Sequence, residues 1–94
     1  MTKDDFNGPR VLVDFWAQWC GPCKMMKPRI EKFAKANPDI EVIFCNVDEE
    51  HEIAQHYGIR SIPTLIYFED GEVVGKKIGN VADSQINELV GKQS

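Results

Sequence analysis

Cysteine is scarce in this sequence: 3 in 94 residues, an odd number. That is too few for a small domain stapled together by disulfides. Positive charge is also in deficit, with 11 Lys and Arg against 15 Asp and Glu and a net charge of −4. An acidic chain lacks the electrostatic footprint of a non-specific nucleic-acid binder or of a protein that sits on an anionic membrane. Long apolar runs are missing, and none approaches the roughly 18 residues that a spanning helix needs. Met1–Arg10 is polar and lacks the apolar stretch of a signal peptide. Repeats, low-complexity tracts and linkers are absent, so residues 1–94 read as a single domain. The apolar fraction of 43% is too high for disorder at this net charge. The expectation is a small soluble domain of a reducing, cytoplasmic compartment.

Gly and Pro divide the chain at short intervals. Val11–Trp16 is apolar except for Asp14 and reads as a buried strand. Gly21-Pro22 opens a helix that runs to about Ala36. Met25, Met26, Ile30 and Phe33 are assigned to its apolar side, and Lys24, Lys27, Glu31 and Lys35 to its solvated side. Pro28 should kink it. Ile40–Val47 reads as a second strand, and Asp48 is placed to cap a short helix through Tyr57 that Gly58 ends. Thr64–Glu69 and Glu72–Ile78 flank Asp70-Gly71, a strong hairpin signal. A last helix starts at Asp83 or Ser84, with Ile86, Leu89 and Val90 as its apolar stripe. The order is a βαβ unit followed by a ββα unit. It predicts an α/β fold with a mixed four-stranded sheet flanked by helices.

The stretch that carries chemistry is Trp19-Cys20-Gly21-Pro22-Cys23-Lys24, between a strand and a helix. Cys20 falls at the helix start, where free backbone N–H groups and the helix dipole favour a thiolate. Cys23 lies one turn on, close enough to pair with Cys20. The pattern therefore supplies an exposed, acidified thiol with a resolving thiol beside it. A zinc site is the competing reading, since His51 and His56 add two potential ligands. Their spacing argues against it: side chains five apart on a helix diverge by ~140°. They read as solvated surface histidines.

Val13-Asp14-Phe15-Trp16-Ala17-Gln18-Trp19-Cys20-Gly21-Pro22-Cys23-Lys24 resembles the active-site segment of the thioredoxin family. Tyr57-Gly58-Ile59-Arg60-Ser61-Ile62-Pro63-Thr64-Leu65 is similar to its second signature, and Phe68-Glu69-Asp70-Gly71-Glu72-Val73 and Ile78-Gly79 continue in register. The resemblance covers about residues 11–90. It implies a thioredoxin fold and a thiol-disulfide oxidoreductase that reduces protein disulfides, in electron transport and cell redox homeostasis. Cys20 would be the nucleophile and Cys23 the resolving thiol, forming a redox-active disulfide, with no other cofactor bound and no metal. Asp14 would lie beneath them as a proton acceptor for Cys23 through water. A lone acid in an apolar strand is costly unless paired or protonated, so its pKa should be raised. The Ile62–Pro63 peptide would be cis, face the disulfide, and keep metals from the thiols. Trp19, Gly21, Pro22, Ile62, Pro63 and Gly79 would bind substrate as a flat apolar patch, whereas Trp16 would be core. The implied partners are disulfide-containing proteins and an NADPH-dependent thioredoxin reductase. The rival readings are a non-catalytic binding module of the same fold and an oxidant or isomerase variant.

Two departures from the family pattern stand out. Only ten residues precede Val11, too few for the usual opening strand and helix. Residues 40–46 would then be an uncovered edge, either partly covered by residues 1–10 or used by two chains, giving a monomer or a weak dimer. Phe44 stands where relatives often carry a charged residue near the buried acid, which should leave the pKa of Asp14 higher. Cys45 reads as a small hydrophobe in a strand, with an intermolecular disulfide or redox switch as the functional alternative.

Overall fold

Five consecutive buried residues, Val11 to Phe15, mark β1 (Val11–Trp16) as an inner strand. A computed structural model describes residues 1–92 and shows β1 paired on both sides. It runs parallel to β2 (Glu41–Asn46) and antiparallel to β3 (Thr64–Glu69), and β3 pairs antiparallel with β4 (Glu72–Ile78). The sheet order is β2-β1-β3-β4, the mixed four-stranded sheet that the element order predicts. The β3–β4 turn uses Asp70 and Gly71, at φ 53° and 83°, the left-handed pair of a tight hairpin. Val74 is an extra residue in β4, since Phe68 pairs with Val73 and Tyr67 with Gly75. This bulge leaves Val73 and Val74 both exposed.

The two sheet faces have separate cores. On one, Leu12, Leu65 and Tyr67 meet Met26, Ile30 and Phe33 of α1 (Gly21–Ala36) and Ile86 and Leu89 of α3 (Asp83–Leu89). On the other, Val11, Val13, Phe15, Cys45, Ile66 and Phe68 pack with Ile53 of α2 (His51–His56) and with Phe6. Helix α3 approaches β4 so closely at Gly75 that a Cβ there would stand 2.8 Å from a Leu89 methyl. Helix α1 is continuous through Pro28. Its buried seam is Cys23, Met26, Ile30 and Phe33. Met25 is 70% exposed, against expectation. It lies about 100° round the helix from Met26 and about 140° from Ile30, outside the seam.

Two further expectations are corrected. Asp48 does not cap α2: its N-cap is Glu50, with no side-chain cap bond, and the carboxylate of Asp48 is engaged elsewhere. Among the described residues, 1–10 add no strand along the outer edge of β2. Lys3–Phe6 forms a 3-10 turn with a capping box between Thr2 and Asp5, and this drops Phe6 onto the α2 face. There its ring centroid lies 5.2 Å from Phe68, 5.9 Å from Tyr57 and 6.4 Å from Phe15. Burying a Phe ring is worth more than a few extra backbone bonds along an edge that water already satisfies. Strand β2 is left as an outer strand of the sheet.

Candidate active site

Cys20 is the N-cap of α1, in extended backbone just before the first helical turn. Its sulfur accepts the backbone N–H of Cys23 at 3.2 Å. A helix N-terminus leaves such donors unpaired, and here a cysteine sulfur occupies the position that a Ser or Asp oxygen often takes. Pro22 in the first turn loses no hydrogen bond by lacking an N–H. Cys20 and Cys23 are joined as a disulfide, their Cα atoms 5.3 Å apart. Both residues are buried, Cys20 at 4% and Cys23 at 2% exposure. Cys20 is thus more covered than the exposed thiol expected of it.

The Ile62–Pro63 peptide is cis, as the resemblance implies. It adjoins the pair: the sulfur of Cys20 is 3.9 Å from the carbonyl oxygen of Ile62. Pro63 is buried, Ile62 half-buried. The Pro63 carbonyl accepts the N–H of Gly79 at 2.8 Å. Gly79 sits at φ +96°, a left-handed turn that a side chain would strain. Gly21, Pro22 and Trp19 are exposed beside these groups. Of the nine residues expected at the site, Cys20 and Cys23 form the disulfide, Ile62 packs against it, Trp19, Gly21 and Pro22 adjoin it along the chain, and Gly79 is joined to it through Pro63. The ninth, Asp14, is on β1.

Asp14 is 1% exposed, and its Oδ1 has no hydrogen-bond partner among the described residues. Burial pushes its carboxyl up to about 7, while the positive charge of Lys27 pulls it down. Its partner across the β1–β2 ladder is Phe44. The Nζ of Lys27 rests 5.7 Å from the Phe44 ring centroid and 5.6 Å from that of Trp16. The cation thus acts on Asp14 by its charge from α1, while Lys27 keeps the exposed position that the helix spacing predicts. Trp16 is half-buried and not fully core, and its indole nitrogen is buried without a partner among the described residues.

Trp19 is 70% exposed, and its indole N–H donates to Asp48 at 2.8 Å. Asp48 is the site residue that the sequence reading missed. The available signal was its place just past the end of β2, at the same sheet end as the start of α1. Cys45 is fully buried on the α2 face, and burial, with a smaller effect from Glu50, pushes its thiol up to about 11. His51 and His56 are exposed at the two ends of α2. Among the described residues, no helix is long and apolar enough to cross a membrane.

Comparisons with known proteins agree with this geometry. The thioredoxin family model matches residues 3–92. The thioredoxin of Alicyclobacillus acidocaldarius is 52% identical over 77 residues, covering 81% of this chain and 73% of that protein. The thioredoxin of Bacillus subtilis is 46% identical over 83 residues, 87% of this chain and 80% of that protein. Among solved structures, oxidised mitochondrial thioredoxin 3 of Saccharomyces cerevisiae superposes with a TM-score of 0.87 at 33% identity, covering 95% of this chain and 84% of that one. Fasciola hepatica thioredoxin gives 0.86 at 32%, covering 97% and 86%.

Proposed function

Because the chain belongs to the thioredoxin family and is a thiol-disulfide oxidoreductase that reduces protein disulfides, we propose the following division of labour among its residues. The single observation that carries it is the place of Cys20 at the N-cap of α1, where its sulfur accepts the backbone N–H of Cys23 in the first helical turn. In the reduced protein, the free N–H groups of the first helical turn stabilise a Cys20 thiolate. That thiolate attacks one sulfur of a substrate disulfide, and the other sulfur leaves as thiolate and takes up a proton. A mixed disulfide joins Cys20 to the substrate. Cys23 then loses its proton and attacks the sulfur of Cys20, and the second substrate sulfur leaves and is protonated. Two electrons have passed to the substrate, whose two thiols take up the proton released by Cys23 and a second from water, and Cys20–Cys23 is oxidised.

Asp14 serves as the proton acceptor for Cys23. A carboxyl with a pKa near neutrality exchanges protons most effectively at the pH of the reaction. Substrate lies as an extended segment against the Ile62–Pro63 and Gly79 backbones, with Trp19, Gly21 and Pro22 forming the apolar rim. The oxidised pair is returned to the dithiol by an external reductant, an NADPH-dependent flavoprotein reductase of the thioredoxin reductase class. No further bound cofactor or metal enters this scheme. The reducing cytoplasm suits a reductant of this kind, and electron transport and redox homeostasis are its roles there. The outward backbone groups of β2 make weak pairing with a second copy available at high concentration, so the working unit is a monomer or weak dimer.

Insulin reduction driven by dithiothreitol tests the scheme. The protein should accelerate it catalytically, and Cys20→Ser should abolish turnover. Cys23→Ser should instead trap covalent mixed disulfides with substrate. Absence of such adducts would reverse the assignment of the two cysteines.

A further inference from the structure

We propose that Arg29 is a positioning residue that clamps the substrate-contacting Gly79 segment to the helix carrying the dithiol. The proposal rests on the substrate-binding role given above to Gly79 and Pro63.

Arg29 lies on α1, two turns beyond Cys23, and is one-third exposed. Its guanidinium makes three contacts, all to residues 80–83. Nη1 donates to the side-chain carbonyl of Asn80 at 2.9 Å and also to the main-chain carbonyl of Val81. Nε pairs with the Asp83 carboxylate at 3.2 Å. A planar fork can hold such a set at once, and a lysine ammonium cannot reproduce it.

The segment needs holding. It follows the left-handed turn at Gly79 and precedes α3, and Asn80 and Ala82 are exposed while only Val81 is buried. Val81 packs in the core of the α1 and α3 face, and the Gly79 N–H bond to the Pro63 carbonyl ties the segment to the site. The contacts therefore close a ring. Cys20 abuts Ile62, Pro63 bonds Gly79, residues 80–83 bond Arg29, and Arg29 returns through α1 to Cys23 and Cys20. Within that ring, the backbone that receives an extended substrate is set at a fixed height relative to the sulfurs. A loop already ordered costs less to dock against, so the clamp acts on protein substrates that span the ring. A small disulfide that meets only the sulfurs does not use it.

Arg29→Met keeps the aliphatic stem and removes the fork. It should raise the KM for insulin about three- to tenfold, the scale of a few partly exposed hydrogen bonds, with kcat within about twofold. The rate with a small aromatic disulfide should be unchanged, and amide exchange at Gly79 and Val81 should quicken. Arg29→Lys, which restores a charge opposite Asp83 but no fork, should fall between the two. Asn80→Ala tests the same clamp from its other end and should shift KM in the same direction by less. An insulin KM equal to that of the wild type in Arg29→Met would overturn the proposal. So would a parallel fall with both substrates, which would mark a structural effect on the dithiol. Failure of the wild-type protein itself to reduce insulin would instead sink the underlying substrate reading, and is seen without any variant.

Discussion

Phe44 faces Asp14 across the β1–β2 ladder, so the neighbouring strand brings the buried carboxyl a ring and no charge. The positive charge comes instead from Lys27, lying over both Phe44 and Trp16. A cation held over aromatic faces at the mouth of a buried site is attracted by the ring quadrupoles as well as by the acid beneath. Lys27 acts on the acid as a nearby charge, and no ion pair joins the two among the described residues.

Asp14 should make the folded protein less stable as pH rises. Its folded pKa, about 7, lies above the ordinary value of 3.8, so the folded form holds a proton that the unfolded chain releases. Stability is fully present below about pH 4, declines through about pH 7 and then levels off, a total of roughly 4 kcal/mol by linkage. Asp14→Asn removes that decline. Denaturant titrations should show the variant gaining on the wild type by this amount between about pH 3.5 and 8.5, while its insulin reduction slows at neutral pH. A constant stability difference across the range would show that Asp14 ionises as freely folded as unfolded.

Lys27→Met should move the Asp14 titration to higher pH, because it removes the charge that favours the carboxylate. Carboxyl carbon chemical shifts measured against pH report this directly. The pH at which the reduction rate is half-maximal should move the same way. An unmoved titration would mean that Lys27 is screened by solvent.

Asp48→Ala should release the Trp19 indole, which is otherwise held at the mouth of the site. Both partners are exposed, so the cost in stability should be small, about 1 kcal/mol or less. Trp19 emission should lose anisotropy, read against a Trp19→Phe background to isolate Trp16. The KM for a protein disulfide should rise modestly, whereas an unchanged anisotropy would mean that packing alone orients the ring.

Cys45 should be chemically silent. Its thiol is fully buried and pushed up to about 11, so the reactive thiolate is scarce at neutral pH. Under reducing conditions iodoacetamide should label Cys20 first and leave Cys45 unmodified until the protein unfolds. Cys45→Ala should keep reductase activity and association state, at a stability cost of about 1 kcal/mol for the small cavity. Native-state labelling of Cys45 at the rate of Cys20 would reverse this reading.

Much of the architecture was legible in the chain because its signals are local. The run Val11–Phe15 is buried on both faces and could only be an inner strand. Asp70-Gly71 prescribed its turn by its own backbone preference, and Gly21-Pro22 opened a helix that ends at Ala36. Met25 shows where such reading stops: one step round the helix separates it from the seam, and apolar character alone did not resolve that step. Phe6 is the reverse case, a single aromatic in a polar segment with no periodicity to mark it as core.

The chain alone shows the ingredients of the site: two cysteines a turn apart at a helix start, an acid in a buried strand, and a proline and glycine suited to the backbone around them. Those features follow from spacing within one element or one motif. What each of them meets depends on how the folded elements pack. Asp48 holding Trp19 across 29 positions and Arg29 holding residues more than 50 positions away are pairings between segments far apart in the chain. A charged side chain on a helix surface reads as solvated until the fold shows what stands opposite it. The strength and role of a charge depend on that distance and on the water excluded between the partners.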